Sequence, residues 1–96
     1  MKARLEHRRT EVWADGTMIE VVVWRLPAPD VDRPHGFKYR LYAGRNGRCL
    51  VRYDNERGKG DHVHYGDIEQ PYQFVSVAQL LADFAADIRR LTGGQP

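Results

Sequence analysis

Two of the four histidines in this 96-residue chain lie two positions apart, in the stretch at residues 58–67 that reads GKGDHVHYGD. In an extended segment, side chains at i and i+2 point the same way, so His62 and His64 are predicted to present two imidazoles on one face. Two aspartates and a lysine accompany them in this stretch. Such groups move protons, grip phosphate or hold a metal, and the stretch is therefore the predicted site of any chemistry.

The leading interpretation is RNA cleavage by acid–base chemistry without a metal. One imidazole takes the 2′-hydroxyl proton while another acidic group protonates the leaving oxygen, and histidine suits both tasks because it titrates near neutral pH. The catalytic candidates are His62 and His64, with Asp61 as the group that orients an imidazole. The substrate-binding candidates are Lys59, Arg40, Arg52 and Tyr65. This interpretation expects no metal and no cofactor.

The spacing of the two imidazoles leaves this mechanism incomplete. Two histidines on one side of a strand lie about 6 to 7 Å apart at their backbones, whereas the base and the acid of an in-line reaction flank the phosphate from opposite sides. The partner acid stays open between Tyr65, His35 and a side chain of a second subunit.

Two other interpretations of the histidines stay open. A metal-dependent hydrolase would use His62 and His64 as two ligands and Asp61, Asp67 or His35 as a third. A non-catalytic module that binds nucleic acid or protein would use the histidines structurally, with an aspartate orienting one of them in a turn. A His-x-His motif by itself does not decide between these classes.

Composition indicates a folded protein rather than a disordered or membrane-spanning one. Apolar residues make up 42% of the 96 residues, enough for one core and hence for a single domain over residues 1–96. No apolar run approaches the roughly 20 residues of a membrane span, and the charged start differs from a signal peptide. Cys49 has no second cysteine to pair with, which fits a reducing compartment. We therefore expect a cytoplasmic protein that binds no membrane.

Two β-hairpins are predicted in the first half of the chain. An Asp-Gly turn separates the β-rich runs of the first hairpin, and an Asn-Gly sequence separates those of the second. Three prolines within residues 27–36 make the connection between the hairpins a loop. The predicted strands are residues 4–13, 17–26, 37–44 and 48–54.

The second hairpin requires a choice of register, since a slip of one residue inverts every side chain. A three-residue loop at residues 45–47 places Leu41 opposite Val51 and gathers the apolar residues of both strands on one face. We predict this register. It places Arg40 and Arg52 together on the face away from the core.

One amphipathic helix is predicted after the histidine stretch. Ser76 is a fitting N-cap with Gln79 three residues on, and apolar residues from Val77 to Leu91 recur at the helical period. Residues 61–66 alternate as a fifth, short strand whose histidines point outward, beside the arginines. The predicted fold is α+β, a mostly antiparallel sheet of four or five strands with one C-terminal helix packed on one face.

A combination of segments in the second half of the chain resembles the TumE family of small prokaryotic toxin–antitoxin proteins. The segments are YDN at residues 53–55, GKGDHVH at 58–64, PYQFVSV at 71–77 and LLADF at 80–84. The resemblance implies a toxin that is neutralised by a cognate antitoxin protein. Its motif matches this chain at Lys59, Gly60, Asp61, His62 and His64. RNA is a candidate target by analogy with other toxins of this size, and oligomerisation stays open.

Overall fold

The computed structural model describes residues 2–56 and 58–93, which form a six-stranded antiparallel sheet and one helix. The strands neighbour one another in chain order. They are β1 (Arg4–Val12), β2 (Met18–Arg25), β3 (Phe37–Arg45), β4 (Arg48–Asp54), β5 (His62–Tyr65) and β6 (Ile68–Pro71), followed by the helix α1 (Val77–Thr92). The predicted α+β class is confirmed, with six strands in the place of four or five.

The unpredicted strand is β6, which pairs with β5 across a two-residue turn at residues 66 and 67. All four of its residues are exposed, so it carries no alternation of apolar and polar positions. Asp67, a candidate metal ligand in the sequence, lies in this turn and is exposed.

The predicted three-residue loop of the second hairpin is wrong. Arg45 pairs with Arg48, so the turn holds only Asn46 and Gly47. Both turn residues have positive φ, 54° and 75°, as in the type I′ turns that match the twist of a hairpin.

A bulge in β4 restores the predicted faces of this hairpin. Between the pairs Ala43–Val51 and Gly44–Cys49, β4 contains one extra residue, Leu50. Leu41 consequently lies opposite Tyr53 rather than Val51. The extra residue compensates for the shorter turn, so the apolar side chains of β3 and β4 still share one face.

The helix α1 covers that face of the sheet. Ser76 caps its first turn, because its hydroxyl accepts a hydrogen bond from the Gln79 backbone N–H at 3.0 Å. Its buried side chains are Leu80, Phe84 and Ile88, which join inward residues of β2 to β5 in the core. Among the described residues, no helix combines the length and the apolar character of a membrane span.

We call the face of the sheet away from α1 the open face. Because side chains alternate along each strand, it carries the residues between the core positions. They include Arg8 and Thr10 of β1, Glu20, Val22 and Trp24 of β2, Lys38, Arg40 and Tyr42 of β3, Arg52 and Asp54 of β4, His62 and His64 of β5, and Glu69 of β6.

Candidate active site on the open face

The pairing of β4 with β5 brings the two histidines against charged residues. Arg52 lies opposite His64 and Asp54 lies opposite His62, and residues directly opposite in a sheet share a face. Both imidazoles therefore lie on the open face, beside Arg52, as the strand alternation predicted. We call the group Arg52, Asp54, His62 and His64 the histidine cluster.

His62 and Asp54 form the buried part of the cluster. The Nε2 atom of His62 lies 2.5 Å from Asp54 Oδ1, and both side chains are only 7% exposed. The other ring nitrogen, Nδ1, lies 3.0 Å from the carbonyl oxygen of Gly60. Since a carbonyl only accepts, this contact places a proton on Nδ1 and aims Nε2 at the carboxylate.

Arg52 connects the two histidines through the aspartate. Its Nε lies 3.0 Å from Asp54 Oδ2, and its Nη2 lies 3.1 Å from His64 Nε2. Neither Arg52 Nε nor Asp54 Oδ1 has an aligned hydrogen-bond partner, although both atoms are buried. The contacts with the carboxylate are thus ion pairs at short distance rather than complete hydrogen bonds.

The surroundings of His64 favour its neutral form. Burial lowers its pKa, and the charge of Arg52 lowers it further. The guanidinium of Arg52 only donates, so in the neutral form Nε2 of His64 accepts from it, whereas a proton on Nε2 would be donated to Glu69. Glu69 Oε2 also lies 3.1 Å from Nε2 and favours the charged form, but less strongly than these two effects combined.

A groove of about 540 Å³ lies on the open face next to the cluster. Asp54 lines the groove and also contacts His62, so groove and cluster are continuous. Lys38 and Arg40 contribute exposed cations, and Trp24 contributes an aromatic wall. Asp54 and Glu56 place carboxylates in the same groove, so its positive charge is only in small excess. The groove combines that charge with a flat apolar surface next to Asp54 of the cluster.

One of the comparisons with known proteins identifies a family. A family model described as toxin TumE matches residues 2–92 of the chain. The chain belongs to the TumE toxin family. Membership of a toxin family indicates the toxin component of a toxin–antitoxin system and implies a cognate antitoxin. Neither the comparison with curated proteins nor that with solved structures returned a significant match.

The match to the TumE family confirms the resemblance found in the second half of the sequence and extends it. The motif segments hold 22 of the 96 residues, all between positions 53 and 84, whereas the family model includes β1 and β2. The first hairpin is thus part of the family's fold, and it supplies Trp24 to the groove.

The structure separates Asp61 from the two histidines that follow it. The Asp61 carboxylate contacts His35 Nε2 at 3.0 Å and accepts a hydrogen bond from the Tyr39 hydroxyl at 2.6 Å. The ring of His35 stacks on Phe74, with ring centroids 3.8 Å apart. Asp61 therefore orients His35, and the position expected for it beside His62 is taken by Asp54.

Of the other predicted site residues, some lie away from the cluster and one lies near it. Tyr65 points to the α1 side, where its hydroxyl donates to Asp87 at 2.8 Å. Lys59 is exposed in the loop before β5. Arg40 is on the open face, with its guanidinium 5.3 Å from the centre of the Tyr42 ring. The structure thus joins Arg40 with the cluster but places neither Tyr65 nor His35 there.

Asp54 is the main site residue that the sequence reasoning missed. Its signal was present, because strand alternation places Asp54 on the same face as Arg52, two residues earlier. Glu69 and Trp24 were also missed. Glu69 belongs to β6, which the sequence does not predict. Trp24 belongs to the predicted strand β2, but nothing in the sequence gives it a functional role.

Proposed function

We propose that this TumE-family toxin cleaves RNA on the open face, with the groove holding the strand and the histidine cluster reacting with it. The observation that carries the proposal is the convergence of a neutral, partly exposed His64, the cation of Arg52 and the Asp54–His62 pair beside the groove. The family supports the role as toxin, and RNA is the target that this chemistry fits.

In the proposed reaction, His64 is the base. It takes the proton of a 2′-hydroxyl, the 2′-oxygen forms a bond to phosphorus, and the bond from phosphorus to the 5′-oxygen breaks. The 5′-oxygen takes up a proton, so the products are a 2′,3′-cyclic phosphate and a 5′-hydroxyl. Arg52 neutralises charge on the phosphate oxygens, a task that suits a guanidinium.

The proton for the leaving oxygen comes from water rather than from His62. The ring centroids of His62 and His64 lie 4.8 Å apart, too close to flank a phosphate from opposite sides. Both ring nitrogens of His62 are also engaged, one with Gly60 and one with Asp54. His62 and Asp54 accordingly position the cluster in this proposal.

The test compares His64→Gln with His7→Gln, which changes an exposed histidine on β1. Each protein is expressed without antitoxin, and growth and cleavage of total RNA by the purified protein are measured. We expect His64→Gln to lose cleavage by about 10²- to 10⁴-fold, as for a removed general base, and to relieve growth arrest. A folded His64→Gln protein that cleaves RNA as well as the His7→Gln protein would sink the proposal.

A second candidate function is a non-catalytic module that binds RNA or protein. The engagement of both nitrogens of the buried His62 favours it, since such a histidine is structurally satisfied. This candidate predicts that wild-type protein binds RNA and arrests growth without producing cyclic-phosphate ends. Appearance of such ends with the wild type, but not with His64→Gln, excludes it.

A further inference from the structure

We infer that Asp54, His62 and His64 form a binding site for one divalent transition-metal ion of the Zn²⁺ type. One ligand atom from each residue lies within 4.8 Å of the other two. The inference concerns the cluster of the proposed function, in which a bound ion and the 2′-hydroxyl proton compete for His64. Ion binding itself does not depend on whether RNA is the substrate. Three observations carry it: the orientation of His62, the unpartnered oxygen of Asp54 and the chemistry of the donor set.

The orientation of His62 is that of a metal ligand. Histidines that bind metals commonly donate the N–H of the other ring nitrogen to a backbone carbonyl or carboxylate, which fixes the tautomer. Nδ1 of His62 makes this contact with Gly60, at 3.0 Å. Nε2 then faces Asp54 Oδ1 at 2.5 Å. Two acceptor atoms at this distance need a proton between them in the ion-free protein. A metal ion that replaces the proton moves the two atoms apart to about 3 Å, because bonds from Zn²⁺ to nitrogen and oxygen are about 2.0 Å long.

Asp54 presents a buried oxygen without a hydrogen bond. Its side chain is 93% buried, being 7% exposed, and its Oδ1 has no aligned donor. Buried carboxylate oxygens are almost always satisfied, because leaving such a group unpaired is costly. A cation bound to both Oδ1 and His62 Nε2 supplies the partner that Oδ1 lacks.

The donor set selects the class of ion. Two imidazole nitrogens and one carboxylate oxygen suit Zn²⁺ and similar transition metals, whereas Mg²⁺ and Ca²⁺ prefer oxygen ligands. Three protein ligands leave room for water or substrate at a fourth position. His64 meets the geometric requirement, since its Nε2 lies in the cluster and its contact with the Arg52 guanidinium is one that an ion can replace.

The charges around the site favour a cation only moderately. Asp54 and Glu69 are negative, whereas Arg52 is positive and lies 3.1 Å from His64 Nε2. Binding at this nitrogen displaces the guanidinium, which already has a second partner in Asp54 Oδ2 at 3.0 Å. Arg52 thus competes with the ion and limits its affinity.

The His35–Asp61 pair differs from the His62–Asp54 pair in its hydrogen bonds. His35 Nδ1 accepts from the Phe37 N–H at 3.1 Å, so its Nε2 carries the proton that it donates to Asp61. Asp61 also accepts from the Tyr39 hydroxyl and from the Asn55 side-chain amide. Every polar side-chain atom of His35 and Asp61 has a protein partner. This pair therefore lacks the unpartnered oxygen that Asp54 presents.

The test titrates ZnCl₂ into protein stripped with a chelator and follows the heat of binding, without RNA. We expect one ion per chain in the wild type. Asp54→Asn and His64→Gln should each weaken binding by about 100-fold or more, since loss of a ligand exceeds the 10- to 100-fold effect of its supporting groups. His7→Gln and Asp67→Asn, which change exposed residues, should bind as the wild type does.

Arg52→Gln separates this inference from the proposed function. Removal of the competing cation should strengthen Zn²⁺ binding by about tenfold or more. The same variant should lose RNA cleavage, because the phosphate loses its cation. Tighter binding without cleavage supports both proposals, whereas tighter binding with full cleavage removes Arg52 from the reaction and leaves the ion site standing.

Two results overturn the ion site. One is a wild-type protein that takes up no Zn²⁺; the other is uptake that survives in Asp54→Asn and His64→Gln. If these variants do not fold, Co²⁺ is added to the wild type, and its visible spectrum must show intense bands of four- or five-fold coordination by nitrogen and oxygen. Cleavage that requires the ion would overturn the role of His64 as base while leaving the ion site intact.

Discussion

Asp61 and His62 are consecutive residues whose side chains lie on opposite faces of the sheet. Asp61 contacts His35 and Tyr39 on the α1 side, whereas His62 lies 2.5 Å from Asp54 on the open face. Asp61 and the two histidines, although they belong to one family motif, therefore have different roles. The aspartate ties the loop before β3 to the core, and the histidines form the candidate active site.

Asp61→Asn is expected to reduce stability rather than activity. The amide cannot serve His35, Tyr39 and Asn55 as the carboxylate does, and we expect a loss of about 1–3 kcal/mol in the free energy of unfolding. RNA cleavage per folded molecule should stay near the wild-type value. Urea unfolding and cleavage assays on the same preparations measure both quantities.

Asp67→Asn is the matched control for this prediction, because Asp67 lies in an exposed turn. Its free energy of unfolding should stay within about 0.5 kcal/mol of the wild type. If Asp61→Asn kept its stability and lost cleavage, Asp61 would act in the reaction as the sequence first indicated.

Much of the fold could be predicted because its signals are local. The helix carries its own cap at Ser76 and a regular apolar stripe, and β4 alternates clearly enough to give its exact bounds. The register of the second hairpin failed because a bulge adds one residue without a sequence signal strong enough to locate it. β6 failed because it is exposed throughout and held mainly by backbone pairing with β5.

The sequence predicts which face of the sheet each site residue occupies, but not which of these residues contact one another. Alternation alone places His62, His64 and Arg52 on one face. Which carboxylate they meet depends on the pairing of β4 with β5, and Asp61 was favoured because it is adjacent in sequence. Adjacency misleads in a strand, because neighbouring side chains point to opposite faces. Asp54 is eight residues earlier in the chain, yet it lies directly opposite His62.

The stability of the protein should fall at acidic pH partly because of His64. Burial and Arg52 lower the pKa of His64 in the folded state, whereas the unfolded chain has the ordinary value of about 6.5. Below that pH the unfolded state binds a proton more readily than the folded state, so the free energy of unfolding decreases as the pH falls.

This contribution is measured as a difference between two proteins. Urea unfolding of the wild type and of His64→Gln at pH 5, 6 and 7 should show a steeper loss for the wild type. The neighbouring charges of Arg52, Glu69 and Asp54 remain in both proteins, so their own titration largely cancels. Equal pH dependence in the two proteins would mean that His64 is not held neutral by the fold.

Arg40→Ala should weaken RNA binding in a salt-dependent manner. Arg40 is exposed at the groove, where its guanidinium lies over the Tyr42 ring and can reach phosphates. Removing one phosphate contact should lower the slope of log affinity against log salt by about 0.7 for single-stranded RNA. Binding of a labelled oligonucleotide at several salt concentrations measures this slope.

Arg89→Ala is the control for Arg40→Ala, because it changes the net charge equally. Arg89 is exposed on α1, which covers the opposite face of the sheet. Its substitution should leave the salt slope near the wild-type value. Equal reductions in both variants would show that RNA senses the overall charge of the protein and not the groove.

Gly44→Ala should destabilise the second hairpin next to the bulge. A Cβ at position 44 would lie 2.1 Å from the Tyr42 hydroxyl oxygen and 2.8 Å from the carbonyl oxygen of Arg48. The tyrosine side chain can rotate away, but the carbonyl belongs to the paired backbone of β4. We expect a loss of about 1–3 kcal/mol in the free energy of unfolding, as for other overpacked sites.

Tyr42→Leu, made alone and together with Gly44→Ala, separates the two clashes. The leucine removes the ring that meets the new Cβ, and with it the ring that lies beneath Arg40. If the side-chain clash dominates, the double variant loses less stability than the sum of the single variants. If the clash with the Arg48 carbonyl dominates, the losses add, and the backbone at the bulge is then rigid. A Gly44→Ala protein as stable as the wild type would contradict the close packing of β3 against β4.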